Sequence, residues 1–147
     1  MTCHGLAHPE LKADDLAKML GAGHPINTDF ELVKYSQGSV RHRHYPPDIK
    51  TNAEMTPQEL ANIYAVGQAA ALESATEAMS KSSEEKYKEA QKKRVEIAKG
   101  ALSGISEASG LLAAPTRQNA LSFVKSIAGK DLTGAVGSKL PAKSDYK

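Results

Sequence analysis

The sequence predicts a mainly α-helical fold: a long helical hairpin or rod, with a small helix and a β-hairpin before it and an amphipathic helix and tail after it. Three observations lead to this prediction. Alanine contributes 22 of the 147 residues, whereas Leu, Ile, Val and Phe together contribute 27, and tryptophan is absent. No proline interrupts residues 58–114. The residues Thr-Pro-Gln-Glu at 56–59 form the pattern that begins a helix. The length suits one ordinary domain.

Composition divides the chain into three regions. Residues 1–55 contain all five histidines and four of the seven prolines, while the helix formers Ala, Glu, Lys and Gln dominate residues 56–114. Residues 115–147 begin with an amphipathic segment and end in a Gly/Ser/Lys tail. We therefore expect an N-terminal arm, a central helical region and a flexible C-terminal arm.

The first region predicts one helix and one β-hairpin. The helix runs from Pro9, which suits a first helical position, to Leu20, and Gly21 ends it. Residues 30–35 and 40–45 are rich in strand-forming side chains, and a four-residue loop that contains glycine separates them.

The central region predicts either a hairpin or a single rod. Thr56 is the expected N-cap of the first helix, with Glu59 completing a capping box. A second such pair, Ser82 and Glu85, would divide the region into helices over about 57–79 and 83–113, which could fold back on each other. Without that break, the helix would be about 80 Å long. We favour the hairpin.

Apolar and small side chains recur every three or four residues along the second of these helices, and a similar face follows in the amphipathic segment. A narrow seam of this kind packs either within one chain or against a copy or a neighbouring subunit. The candidates for a partner interface are Val95, Ala98, Gly100, Leu102, Gly104, Ile105, Leu112, Leu121, Val124 and Ile127.

Charge is dense but balanced. Ten of the sixteen residues from 84 to 99 are charged, yet acids are interleaved with bases, and the whole chain has a formal net charge of only +2. This pattern is typical of a solvated helix rather than a nucleic-acid surface. The best candidates for contact with an anion are Arg41, Arg43, Lys92, Lys93 and Arg94.

The sequence has none of the patterns expected of an enzyme. It contains neither a Gly-x-Ser-x-Gly elbow nor a phosphate-binding glycine loop, and its paired acids are adjacent, so they would diverge on a helix. His42 and His44 would share one strand face, but the other donors stand at no recognised ligand spacing. We expect ordinary surface histidines, no metal and no cofactor.

The expected location follows from similar observations. The single cysteine, Cys3, cannot form a disulfide within the chain. No apolar run is long enough to span a bilayer, and no signal peptide is evident. We therefore expect synthesis in the cytoplasm and a final place within a large assembly.

Few large apolar residues, a narrow seam and two arms together predict a non-enzymatic structural or adaptor subunit, ordered by contacts with other protein chains. In general make-up, though in no particular motif, the chain resembles the small helical accessory proteins of tailed-phage particles, which implies a place in a virus particle. Two alternatives stay open. The amphipathic C-terminal helix could associate with a membrane surface, or the basic residues could serve a nucleic-acid-binding accessory protein.

Overall fold

The fold is mainly helical. The computed structural model describes residues 5–8, 10–38 and 54–147, and no strand occurs among them. Seven α-helices lie in these ranges: α1 (Ala13–Gly21), α2 (Leu32–Ser36), α3 (Pro57–Lys81), α4 (Glu85–Leu102), α5 (Ser109–Ala113), α6 (Arg117–Ser126) and α7 (Thr133–Val136). Short 3₁₀ turns cover Ser106–Ala108, Gly137–Lys139 and Lys143–Asp145.

Helices α3 and α4 lie side by side and make the most extensive contact of the fold, as the hairpin alternative requires. The predicted start of α3 is confirmed. Thr56 Oγ1 accepts a hydrogen bond from Glu59 N at 3.3 Å, and Thr56 N donates to Glu59 Oε2 at 2.7 Å. This capping box satisfies two amide groups that would otherwise have no partner in the first turn.

The turn between α3 and α4 differs from its prediction. Ser82 follows α3 as its C-cap, and no side chain caps α4. Ser82 Oγ instead donates to Asp14 Oδ1 at 3.0 Å and accepts from Glu84 N at 3.1 Å, while Ser83 N donates to the same Asp14 oxygen at 3.0 Å. The carboxylate of α1 therefore holds the turn, and these bonds keep the pKa of Asp14 below its usual value.

The predicted second helix, 83–113, is also shorter than expected. Helix α4 ends at Leu102, and a 3₁₀ turn and α5 continue the chain. Gly104 lies in this break, where an added Cβ would come within 3.2 Å of the Ala135 carbonyl oxygen. The C-terminal region thus passes close to the chain just beyond the end of α4.

The predicted β-hairpin is wrong in its first half, because residues 32–36 form helix α2. The Glu31 carboxylate caps this helix and accepts from Val33 N at 2.9 Å and from Lys34 N at 2.8 Å. Two charge-assisted bonds and the complete burial of Val33 outweigh the strand propensity of the side chains. The second predicted strand, residues 40–45, lies outside the described residues.

One main hydrophobic core joins the helices. Alanines on α3 and α4 let the two backbones approach, and Leu72 and Leu102, both 0% exposed, fill the space between them. Phe123 of α6 and Ile127, which follows this helix, enter the same core. Leu132 and Val136 do so from residues 130–147, the part for which the sequence predicted a flexible arm.

A second, smaller cluster covers the turn end of the hairpin. Ala13, Leu16 and Ala17 of α1 pack there together with Leu6 and Tyr87. Helix α1 begins at Ala13 rather than at the predicted Pro9, and its N-cap, Lys12, makes no side-chain capping bond. Before α1, Leu6 has a positive φ of 45° and packs against the hairpin.

Candidate binding groove

Most of the predicted seam on α4 lies inside the chain itself. Four of its members are buried in the main core, with exposed fractions of 8% or less: Val95, Ala98, Leu102 and Ile105. They pack against α3 and the C-terminal region. The arrangement corresponds to the first of the two alternatives, packing within one chain.

The remaining interface candidates are divided between core and surface. Lys139 Nζ donates to the Gly100 carbonyl at 2.9 Å, and Gly104 lies beneath the backbone at Ala135. Ile127 is buried, whereas Leu121 is 50% exposed. Leu112 and Val124 are partly buried against the core. Of the three candidates at residues 121–127, only Leu121 is an exposed apolar side chain.

The basic candidates do not form one surface. Consecutive positions on a helix differ by about 100° around its axis, so residues 92–94 point in different directions. Lys92 and Lys93 are exposed, and Lys93 lies 3.8 Å from Asp29, whereas Arg94 is only 4% exposed. Arg41 and Arg43 lie outside the described residues.

A groove of about 700 Å³ opens on the outer side of α3. One wall is the segment that leads into α1, from Ala7 to Ala13, and the other is formed by residues 115–117 at the start of α6. The floor is the C-terminal half of α3, from Ala70 to Lys81. Three stretches that are distant in sequence thus meet around one open cleft.

The floor of the groove is built from small side chains. Ala70, Ser74 and Ala78 follow each other at intervals of four residues, which places them on one face of α3. Ser74 Oγ donates to the Ala70 carbonyl at 2.7 Å, and the Oγ1 of Thr76 is buried without a hydrogen-bond partner among the described residues. The alanine-rich run was visible in the sequence, but nothing there indicated which of its faces stays open.

Charged side chains of both signs lie along the groove. Lys81 Nζ is 2.5 Å from Glu77 Oε1, one turn away on the same helix. Burial raises the pKa of Glu73, and the neighbouring Glu77 raises it further, while Arg117 on the opposite wall lowers it. The groove therefore combines small apolar side chains with ionic groups of both signs.

The wall that precedes α1 rests on a buried polar cluster. Gln91 Nε2 donates to the Gly5 carbonyl at 2.9 Å, and the Tyr87 hydroxyl donates to the Leu6 carbonyl. Arg94 Nη1 donates to Gln91 Oε1 at 2.6 Å and to the Gly5 carbonyl at 3.3 Å. Its Nη2 donates to Ser74 Oγ at 3.4 Å, so the guanidinium lies directly behind the groove floor.

Burial dominates the electrostatics of this cluster. It lowers the pKa of Arg94 to about 10 and raises that of Tyr87 above its usual value. The sequence could not identify Arg94 as buried, because it follows Lys92 and Lys93 in the most charged stretch of the chain.

Comparison of the chain with protein-family models, curated proteins and solved structures found no match. Within the described ranges, no helix has the length and apolar character needed to cross a membrane. No set of three or more His, Cys, Asp or Glu side chains in that part of the chain is placed to hold a metal ion.

Proposed function

We propose that the chain is a non-enzymatic structural or adaptor protein that holds a short segment of another protein chain in the α3 groove. The observation that carries the proposal is the groove itself, an open cleft of about 700 Å³ assembled from three parts of the chain. The neighbouring chain would be a further copy or a different subunit of a larger assembly.

The dimensions of the groove suit a peptide segment. From Ala70 to Lys81 the floor rises by eleven helical steps, or about 16 Å at 1.5 Å per residue. This length accommodates about three turns of an amphipathic helix or five residues of extended chain. The small side chains of the floor would let either backbone approach closely.

Exposed apolar side chains at the rim support a protein partner. Leu11, which lines the groove, is 53% exposed, and Leu121 is 50% exposed. Leu121 lies one turn beyond Arg117 on α6, so it continues the same wall. A partner that covered both leucines would bury apolar surface on both sides of the groove.

The charged groups of the groove favour binding over chemistry. Glu77 is paired with Lys81, and Glu73 faces Arg117, so each acid has a nearby cation. Groups paired in this way serve recognition by complementary charge. Because much of the predicted α4 seam is buried in the core of the chain, the groove replaces it in this proposal as the surface for association.

The test is site-specific photo-crosslinking of the full-length chain in the cells that produce it. A benzophenone side chain at Ser80, which is exposed in the groove, is compared with one at Ser138, which is exposed outside it. We expect a discrete adduct from position 80 that disappears with the groove-filling substitution Ala70→Trp. Equal adducts from both positions, or adducts that persist with Ala70→Trp, would contradict the proposal.

Light scattering on a sizing column then distinguishes the two kinds of partner. A monomer of 15.7 kDa at low and high salt assigns the groove to a different protein. A defined oligomer that Ala70→Trp dissociates assigns it to a second copy. An oligomer that Ala70→Trp leaves intact would place self-association on another surface.

A further inference from the structure

Arg94 is buried with neutral partners alone. Its guanidinium, 4% exposed, donates to the Gln91 side chain, the Gly5 carbonyl and the Ser74 hydroxyl, at 2.6, 3.3 and 3.4 Å. No carboxylate of the described residues forms an ion pair with it. Two of the three bonds are long, although a guanidinium carries five N–H donors in a planar fork that matches a carboxylate.

Such an arrangement is costly for the folded chain. A buried cation loses its hydration, and arginine does not escape this loss by releasing its proton at neutral pH. Neutral oxygens compensate less than an anion would, since charge-assisted bonds between two ions are the stronger kind. Groups that oppose stability in this way are expected at functional or strained sites.

The segment before α1 covers this guanidinium as a ligand would. A Cβ added at Gly5 would lie against the guanidinium carbon and 2.6 Å from Nη1, so the bare glycine backbone rests directly on Arg94. Ala7 and His8, which follow, form part of the groove wall. Movement of residues 5–8 would therefore open the guanidinium to the groove.

We propose that Arg94 is the anchor for a carboxylate carried by the segment that binds in the groove, and that the Gly5 carbonyl occupies this position in the free chain. The inference rests on the proposed function for the identity of the carrier. Binding of the carboxylate would displace residues 5–7 and exchange a neutral acceptor for an ionic one. Ser74 and Gln91 would remain as neighbouring hydrogen-bond partners.

The surroundings favour a carboxylate over a phosphate. The position now holds one planar peptide group of Gly5, and a carboxylate is planar and of similar size. Glu73 and Glu77 both line the groove through which such a ligand would enter. A phosphate, with a charge near −2, would be repelled more strongly than a carboxylate with a charge of −1.

The first experiment supplies the carboxylate from the chain itself. Gly5→Asp and Gly5→Asn introduce side chains of the same shape, so steric effects cancel and only charge differs. We expect the Asp variant to unfold at a temperature higher by about 3 °C or more, and the difference to vanish when Arg94→Met is added. Equal unfolding temperatures, or a difference that survives Arg94→Met, would overturn the proposal.

A second measurement remains informative even if these variants fold poorly. The Arg94 Nε–H signal of the full-length chain is followed by ¹⁵N NMR during titration with sodium acetate, with sodium chloride at equal ionic strength as the control. We expect a saturable shift with acetate and none with chloride. No saturable shift, or stronger binding of inorganic phosphate, would overturn the assignment.

Neither measurement requires the partner protein. Failure of the acetate and Gly5→Asp tests would therefore remove the carboxylate anchor and leave the groove proposal standing. Absence of a groove-specific crosslink would instead contradict the proposal that a protein segment carries the carboxylate. It would leave the proposal of an anion site at Arg94 standing.

Discussion

Replacement of Tyr87 by phenylalanine tests how firmly the segment before α1 is held on the hairpin. Tyr87 is 1% exposed and packs in the smaller core cluster. Its hydroxyl donates to the carbonyl of Leu6, which is itself 3% exposed. The substitution retains the ring and removes one oxygen, so the packing of the cluster is preserved.

The expected loss follows from the carbonyl that is left behind. A buried acceptor deprived of its donor costs about 1–2 kcal/mol, since water does not reach it in the folded chain. For a chain of 147 residues this corresponds to a fall of about 3–6 °C in the unfolding temperature. We also expect faster hydrogen exchange of the amides that precede α1, because that segment loses one of its attachments.

Tyr64 provides the matched control. Its ring is also buried, at 7% exposure, but none of the described residues makes a hydrogen bond to its hydroxyl. Tyr64→Phe should therefore lower the free energy of unfolding by less than about 0.5 kcal/mol. Both variants are measured by urea unfolding of the full-length chain with a common m-value. A loss in Tyr87→Phe no greater than that in Tyr64→Phe would refute the reasoning.

Three further predictions concern the core, a surface ion pair and a helix cap. Leu72→Ala should cost about 3–5 kcal/mol in urea unfolding, and Leu121→Ala less than about 0.5, because the first leucine is 0% and the second 50% exposed. The Lys130 ammonium lowers the pKa of Glu107 from 4.5 to about 2. The stabilisation of the fold by this ion pair is therefore complete above pH 4.5 and disappears as the pH falls through 2. The urea midpoint of Glu107→Gln should lack this dependence on pH. Thr56→Ala should lower the free energy of unfolding by about 1 kcal/mol, and an unchanged calorimetric unfolding temperature would contradict the role of the cap.

Local signals in the sequence predicted the features that local chemistry decides. The capping box at Thr56 and the absence of proline until Pro115 identified the start of α3 and a long helical region. Both depend on residues a few positions apart. The helical character of residues 117–126 was predicted on the same basis, from the spacing of its apolar side chains.

Prediction failed where a distant group changed a local preference. Ser82 and Glu85 had the spacing of a capping box, but the carboxylate of Asp14 bonds to Ser82 and Ser83 instead. At residues 32–36, strand-forming side chains became helical because Glu31 caps them and Val33 reaches the core. Asp14 is 68 residues from Ser82, and the core that Val33 enters is built by other helices, so neither contact could be identified from the neighbouring sequence alone.

By itself, the sequence determined that this chain is mainly helical and where its longest helix begins, because helix propensity and capping act over one or two turns. Only the tertiary structure decided which faces are closed. In the folded chain, part of the α4 seam is buried in the core, and the outer face of α3 stays open as a groove. Arg94 is enclosed under Gly5. The physical reason is that burial depends on which segments meet, and residues 5–8, 70–81 and 115–117 meet only through the packing of the whole chain.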